Sequence, residues 1–181
     1  MPRKPRVQEP GTYHVFSRGN NQQQIFDDAL RDVFLFQLDV VARAFGWFVY
    51  AWALMSNHFH LLLEITDPGL ARGMHRLNYA LAVASNARFD RINHCVGDRY
   101  SNKPIEDDTH FVDALRYIVW NPVRAGVAAH PADSTWTSYR ASVGLEQAPR
   151  ALSIGRLLQF FGATPEAAFR VLRASLETDV R

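Results

Sequence analysis

At 181 residues, with 48% hydrophobic and 21% charged side chains, the chain has the composition of an ordinary globular protein: one domain plus an extension, disorder only at the ends, and no second full domain expected. A formal net charge of +2 is too small to argue for nucleic acid by itself, although a pI of 8.9 leaves room for a localised basic groove. The single cysteine, Cys95, excludes an intramolecular disulfide and a cysteine-based zinc knuckle; no apolar run follows the charged start Arg3-Lys4-Pro5-Arg6, so no secretory signal or membrane span is expected and a reducing cytoplasm is the simplest home.

Residues 1–10 read as a basic flexible arm, too polar to pack. Thr12 to Arg18 alternates in a β pattern and is closed by the turn signal Gly19-Asn20. From Asp28 to Phe45 the apolar residues Leu30, Phe34, Leu38, Val41 and Phe45 recur at helical spacing, with Asp27 or Asp28 able to cap the start and Gly46 to end it. Trp47–Leu54 and Phe59–Ile65, separated by Ser56-Asn57, read as a β-hairpin whose second strand begins at two histidines. Leu70, Met74, Leu77, Leu81 and Ala84 mark a second amphipathic helix running to about Phe89 and bearing Arg72, Arg76 and Arg88. Arg99 to Ile105 is expected to be a short fourth strand, kept at a sheet edge by Pro104. Asp108 is placed to cap a third helix with core positions Phe111, Val112, Leu115, Ile118 and Val119, which Pro122 should kink or end.

The order β-α-β-β-α-β-α predicts an α+β fold over residues 11–145: a ferredoxin-like, split β-α-β antiparallel sheet with helices on one face and the other face free to hold a site. Residues 146–181 read as a C-terminal helical extension, apolar at Leu157, Leu158, Phe160, Phe161, Ala167, Ala168, Val171, Leu172 and Leu176. Trp47, Trp52 and Trp136 are most simply core, and there is no internal repeat or low-complexity run.

Two pairs of residues carry potential chemistry. His58 and His60, two apart on a predicted strand, project from one face while Phe59 points into the core, a geometry able to grip one divalent metal ion. Alone, such a pair is more often a set of surface or hydrogen-bonded histidines. Tyr117 and Asn121, four apart on the third predicted helix, share a face; a tyrosine hydroxyl can act as a nucleophile and an amide oxygen as a hard metal ligand. The plainer reading is a half-buried core tyrosine and an asparagine that ends a helix before proline, and Pro122 biases Asn121 away from helical dihedrals, which would turn its amide off the Tyr117 face. His14 shares the first strand with Phe16 and Arg18 and reads equally as a residue backing the site, facing DNA, or purely structural. Of the 20 basic residues only Lys4 and Lys103 are lysine; arginine suits bidentate phosphate contacts, though GC-rich coding bias explains the ratio as well.

Taken together, Tyr13-His14-Val15, Arg18-Gly19-Asn20, the run Leu54 to Glu64 containing Asn57-His58-Phe59-His60, and the run Arg116 to Gly126 containing Tyr117, Asn121 and Pro122 resemble, in order and spacing, the REP-associated tyrosine transposases of the HUH superfamily. The resemblance runs from about Gly11 to Gly144. It implies a ferredoxin-like nuclease fold in the cytoplasm, associated with the nucleoid and acting on single-stranded or hairpin DNA. Tyr117 would be the nucleophile that forms a 5′-phosphotyrosine intermediate, and His58, His60 and Asn121 would be ligands of Mg²⁺ or Mn²⁺. No nucleotide cofactor is implied, in agreement with the lack of a Gly-rich phosphate loop. DNA contacts are expected from Arg3, Lys4 and Arg6 of the arm, Arg18, Asn20, Arg99, Lys103 and Arg124, and a monomer is favoured over a dimer. Two departures stand out: Ser56 replaces the usual proline before the histidine run, which should alter only the hairpin turn, and Ser101 stands where a basic residue is frequent, a loss Lys103 can offset.

Two other functions fit parts of the same pattern. A ferredoxin-like sheet can be a non-catalytic platform for single-stranded nucleic acid, with Tyr13, Phe16 and Tyr100 as stacking residues. A small metal-dependent phosphodiesterase would use activated water in place of tyrosine.

Overall fold

Alternation along the first strand, β1 (Gly11–Arg18), sends Tyr13, Val15 and Ser17 into the core on one face and His14, Phe16 and Arg18 to the other. Around it the computed structural model, which describes residues 9–91 and 100–177, builds one four-stranded sheet. Its other strands are β2 (Trp47–Leu54), β3 (His58–Ile65) and β4 (Ser101–Pro104), in the spatial order β2-β3-β1-β4 with every neighbour antiparallel. This is the split β-α-β arrangement expected for a ferredoxin-like α+β fold. Pro104 lies on an edge strand, as its missing N–H requires; the strand is shorter than the expected Arg99 to Ile105, and Arg99 lies outside the described residues.

Helices α1 (Asp28–Phe45) and α2 (Leu70–Phe89) cover one face. The start of α1 is capped by Asp27, whose carboxylate accepts from the Leu30 N–H at 2.9 Å, and its end by Gly46 in the left-handed region at φ 65°. The stripe Leu30, Phe34, Leu38 and Val41 packs with Leu70, Met74, Leu77 and Leu81 over Phe59, Leu61 and Leu63 of β3. Each fully buried side chain of this kind contributes about 1.5–3 kcal/mol of transfer free energy. Where α2 crosses the sheet, Gly73 lies against the Trp47 ring, and a Cβ there would come within 2.2 Å of it.

The opposite face is only partly free. Helix α3 (Asp108–Val119), the one-turn α4 (Asn121–Arg124) and α5 (Tyr139–Ser142), and the extension helices α6 (Ile154–Gln159) and α7 (Pro165–Leu176) follow β4. Phe111, Leu115 and Ile118 of α3 join Leu157, Leu172 and Leu176 in a second core over Tyr50, Ala51, Ala53 and Leu62. The expectation of helices on one face therefore holds for α1 and α2, but α3 and the extension cover the β2–β3 half of the other face and leave open the part under β1 and the start of β3. A smaller correction concerns the cap of α3: Asp107, not Asp108, accepts the His110 N–H, at 2.8 Å.

The extension is joined to the sheet by polar contacts as well as apolar ones. A β-bulge between Val49 and Ala51 makes Tyr50 the extra residue of β2 and turns its hydroxyl onto the Glu64 carboxylate. Arg156 of α6 pairs with the same carboxylate at 2.7 Å. The outer edge of β2 is closed where Val49 O accepts from Ser153 N at 2.8 Å and Leu54 N donates to Trp136 O at 2.9 Å.

Two consequences can be measured. Burial works to raise the Glu64 pKa, but the Arg156 guanidinium and the Tyr50 hydroxyl outweigh it and hold the carboxyl below its ordinary value of 4.5. The stability this provides is present above the unfolded carboxylate pKa and is lost as pH falls through the folded value. Glu64→Gln is thus expected to flatten the acid limb of a stability-versus-pH curve read by chemical denaturation, and an unchanged limb would contradict it. Gly73→Ala overpacks the α2–Trp47 contact and is expected to cost about 1–3 kcal/mol in the same assay.

Candidate active site

Three elements converge on the open part of the second face. β3 enters the sheet from a hairpin tip that is held firmly: Ser56 O accepts from the N–H groups of Ile25 and Phe26 at 2.9 and 3.0 Å, and Asn57 O from Gly19 N at 2.8 Å. Ser56 thus acts in the turn through its carbonyl. The pleat then places His58 and His60 on the open face and Phe59 in the core. Across the β1–β3 ladder Phe16 lies opposite His60 and Arg18 opposite His58.

The third element is α3 with its continuation. Tyr117 is 38% exposed and faces the histidines, its ring 5.6 Å from that of His60 and 5.7 Å from that of His14. The helix is interrupted at Trp120, yet Trp120 N still bonds to Arg116 O and Arg124 N to Trp120 O, both at 3.0 Å, so the chain continues along a nearly helical path. Pro122 falls in the first turn of α4, where its missing N–H leaves no bond unmade. Asn121 therefore stays on the Tyr117 side, against the expectation that proline would turn it away; it is 8% exposed, with Oδ1 3.3 Å from His58 Nε2.

This contact bears on what the site could hold. His58 Nδ1 lies 2.7 Å from Asn57 Oδ1 and its Nε2 3.3 Å from Asn121 Oδ1; both oxygens only accept and a neutral ring has one N–H, so with the proton in the shorter contact Nε2 presents a lone pair. In that tautomer the lone pair and the Asn121 amide oxygen converge at 3.3 Å, an arrangement that a cation would satisfy. Burial, reinforced by Arg18, lowers the His58 pKa, while the Asn121 oxygen opposes the shift. Burial is also the main cause at His60, pushed down to about 3 with help from His14, His58 and Arg18, and at His14, pushed down to about 4 with help from Lys103 and His110. All three shifts favour the neutral imidazole, the form that ligates metal. Among the described residues no group of three or more His, Cys, Asp or Glu side chains is arranged to hold a metal ion. The donor set that fits one is His58, His60 and the Asn121 amide, since His14 directs its Nε2 at His60 Nδ1, 2.9 Å away.

These side chains line a cavity of about 760 Å³ whose rim is cationic: Arg18 from β1, Lys103 from β4 and Arg124 from α4. The Arg124 guanidinium lies over the Tyr117 ring, 4.8 Å from its centre. Asn20 stands apart from this wall, in a single 3-10 turn at Asn20–Gln22, and Arg3, Lys4, Arg6 and Arg99 lie outside the described residues. Two lining residues, His110 and Asp113, were not anticipated. They stand seven and four positions before Tyr117 on the same helical stripe, a spacing that would have revealed them. Among the described residues Asp113 is the one carboxylate in the wall, and it is paired with Arg116 at 3.5 Å.

The IS200-like transposase family matches residues 8–119, more than half of the chain, and the match stops just short of Asn121. In three dimensions the chain is similar to a REP-associated tyrosine transposase bound to a REP hairpin, with a TM-score of 0.70 and 16% identity over 83% of this chain and 90% of that one; at this identity the likeness is one of fold. A looser overlay, TM-score 0.46 with 19% identity, covers 61% of this chain and 91% of a candidate transposase from Deinococcus radiodurans R1. Among curated proteins none matches in sequence.

If His58, His60 and Asn121 hold a divalent ion, Mn²⁺ should raise the thermal midpoint, by the equivalent of about 2.7 kcal/mol at a hundredfold excess over Kd. The shift should vanish in His60→Ala, as followed by scanning calorimetry; an equal shift in both proteins would place the ion elsewhere.

Proposed function

The chain belongs to the IS200-like transposase family and is therefore a DNA-processing enzyme; on that premise we propose that it is a metal-dependent tyrosine transposase that nicks and rejoins single-stranded DNA through Tyr117. The observation that carries this reading is the meeting, in one cavity, of a half-exposed tyrosine, two neutral imidazoles with an amide oxygen beside them, and a rim of Arg18, Lys103 and Arg124. A binding platform or a water-activating phosphodiesterase gives Tyr117 no reason to face the histidines.

In this mechanism the cationic rim receives the phosphodiester backbone, drawing affinity from phosphate neutralisation, and Phe16 offers a ring on which a neighbouring base can stack. The oxygen of Tyr117 attacks the scissile phosphorus in line. A new bond forms between that oxygen and phosphorus, the bond from phosphorus to the 3′ oxygen breaks, and the phenolic proton is passed on so that the released strand ends in a 3′-hydroxyl. The enzyme is left as a 5′-phosphotyrosine, and attack by another 3′-hydroxyl reverses the step on a second strand. Mg²⁺ or Mn²⁺, held by His58, His60 and Asn121, would supply charge neutralisation at the phosphate oxygens. Because the phosphotyrosine retains the energy of the phosphodiester, no nucleotide cofactor is needed.

Hairpin DNA is the substrate we propose, because the similar solved structure is of a transposase bound to a REP hairpin. Arg124, lying over the Tyr117 ring, would steady both the nucleophile and the incoming phosphate. Incubation with hairpins from the flanks of the protein's own gene and Mn²⁺, resolved on a denaturing gel, should give a covalent protein–DNA band that disappears in Tyr117→Phe and on chelation. Retained cleavage by Tyr117→Phe would instead favour activated water, and tight binding with no band would favour a platform.

A further inference from the structure

His14 has no place in the chemistry above, yet it is within hydrogen-bond distance of His60. It lies on β1 beside Phe16, the residue opposite His60 in the ladder, and reaches diagonally so that its Nε2 is 2.9 Å from His60 Nδ1, with ring centres 5.1 Å apart. An N···N approach this short needs one donor and one acceptor, so only one of the two rings carries the shared proton. His60 is 7% exposed, so little of its ring meets solvent away from the cavity.

The direction of this hydrogen bond decides what His60 presents to the cavity. If His60 donates through Nδ1–H, its Nε2 carries a lone pair. If His14 donates, the His60 proton sits on Nε2 and the cavity meets an N–H, which cannot ligate a cation. At His58 the shorter of two contacts to accepting oxygens, 2.7 Å to Asn57 Oδ1 against 3.3 Å to Asn121 Oδ1, favours the proton on Nδ1. His14 is the residue in the matching position behind His60. We propose that His14 is a positioning residue that accepts the His60 Nδ1–H, fixing the His60 tautomer and orientation so that Nε2 is aimed at a divalent cation together with His58 Nε2 and Asn121 Oδ1.

This rests on the metal reading of the site, and the experiment separates the two. The full chain, free of metal and ¹⁵N-labelled at histidine, is first examined by long-range ¹H–¹⁵N correlation, which reports the tautomer of each ring. The proposal expects the His60 proton on Nδ1 in the wild-type protein, and a proton on Nε2 overturns it. Mn²⁺ affinity is then measured by electron paramagnetic resonance for wild type, His14→Phe and His14→Gln. His14→Phe keeps a ring but offers no acceptor and should weaken binding about 10–100-fold, as loss of the partner behind a metal-bound histidine generally does. His14→Gln, whose amide oxygen reaches to where Nε2 was, should restore most of the affinity. Wild-type affinity in His14→Phe overturns the proposal. If the wild-type chain binds no Mn²⁺, the metal reading fails, and with it the cation-directing role, whichever tautomer the spectrum reports.

Discussion

The pleat of β3 is the constraint on which the rest of the structure depends. Successive side chains must leave a strand on opposite faces, so a run that alternates aromatic or aliphatic residues with histidines is committed to two tasks at once. Phe59, Leu61 and Leu63 are each fully buried against α1 and α2, and that burial fixes the register of the strand in the sheet. With the register fixed, His58 and His60 have no choice of face. A slip of one residue would bury both imidazoles under two helices and expose Phe59, which is why a strand with one apolar side is strongly specified.

A site also needs its other half held at a set distance, and here the second core matters. Tyr117 and Asn121 come from α3 and the turn after it, whose backs are packed by α7. The contact is polar as well: the Arg116 guanidinium donates to Ser175 O at 2.7 Å and the Trp120 indole to Leu176 O at 2.8 Å, so side chains flanking Tyr117 satisfy carbonyls at the end of α7 that have no partner within their own helix. At the far side of β2 the Tyr50, Glu64 and Arg156 cluster ties α6 to the sheet. The extension thereby supports the tyrosine helix from behind and leaves the cavity side clear. Functional side chains placed on a helix and a strand, each locked by packing, are held more closely than loops could hold them.

Electrostatics are divided in the same way. The floor of the cavity is neutral because burial strips charge from His14, His58 and His60, while the rim carries Arg18, Lys103 and Arg124. A neutral floor under a cationic rim suits a divalent ion and a phosphate together, whereas a charged histidine cluster would have no lone pairs for the ion and would repel it.

Much of this was legible in the residues. The strand and helix limits of β1 to α2 followed from alternation and 3.6-residue periodicity, and Asp27 and Gly46 marked the ends of α1 by their own side-chain and backbone chemistry. The pairing of His58 with His60 and of Tyr117 with Asn121 followed from the same two periods, because a repeat short enough to lie within one element is a local property of the chain. His110 and Asp113 are equally local, seven and four positions before Tyr117 on the same stripe. What remained for the tertiary structure to decide were relations between elements. Which face α3 covers, that Asn121 stays with Tyr117 in spite of Pro122, that Asn20 stands away from the cavity, and that His14 meets His60 all depend on how the two cores pack. Backbone preferences act over a few residues and identify which side chains share a face. Only the burial of apolar surface between elements distant in sequence determines which faces meet.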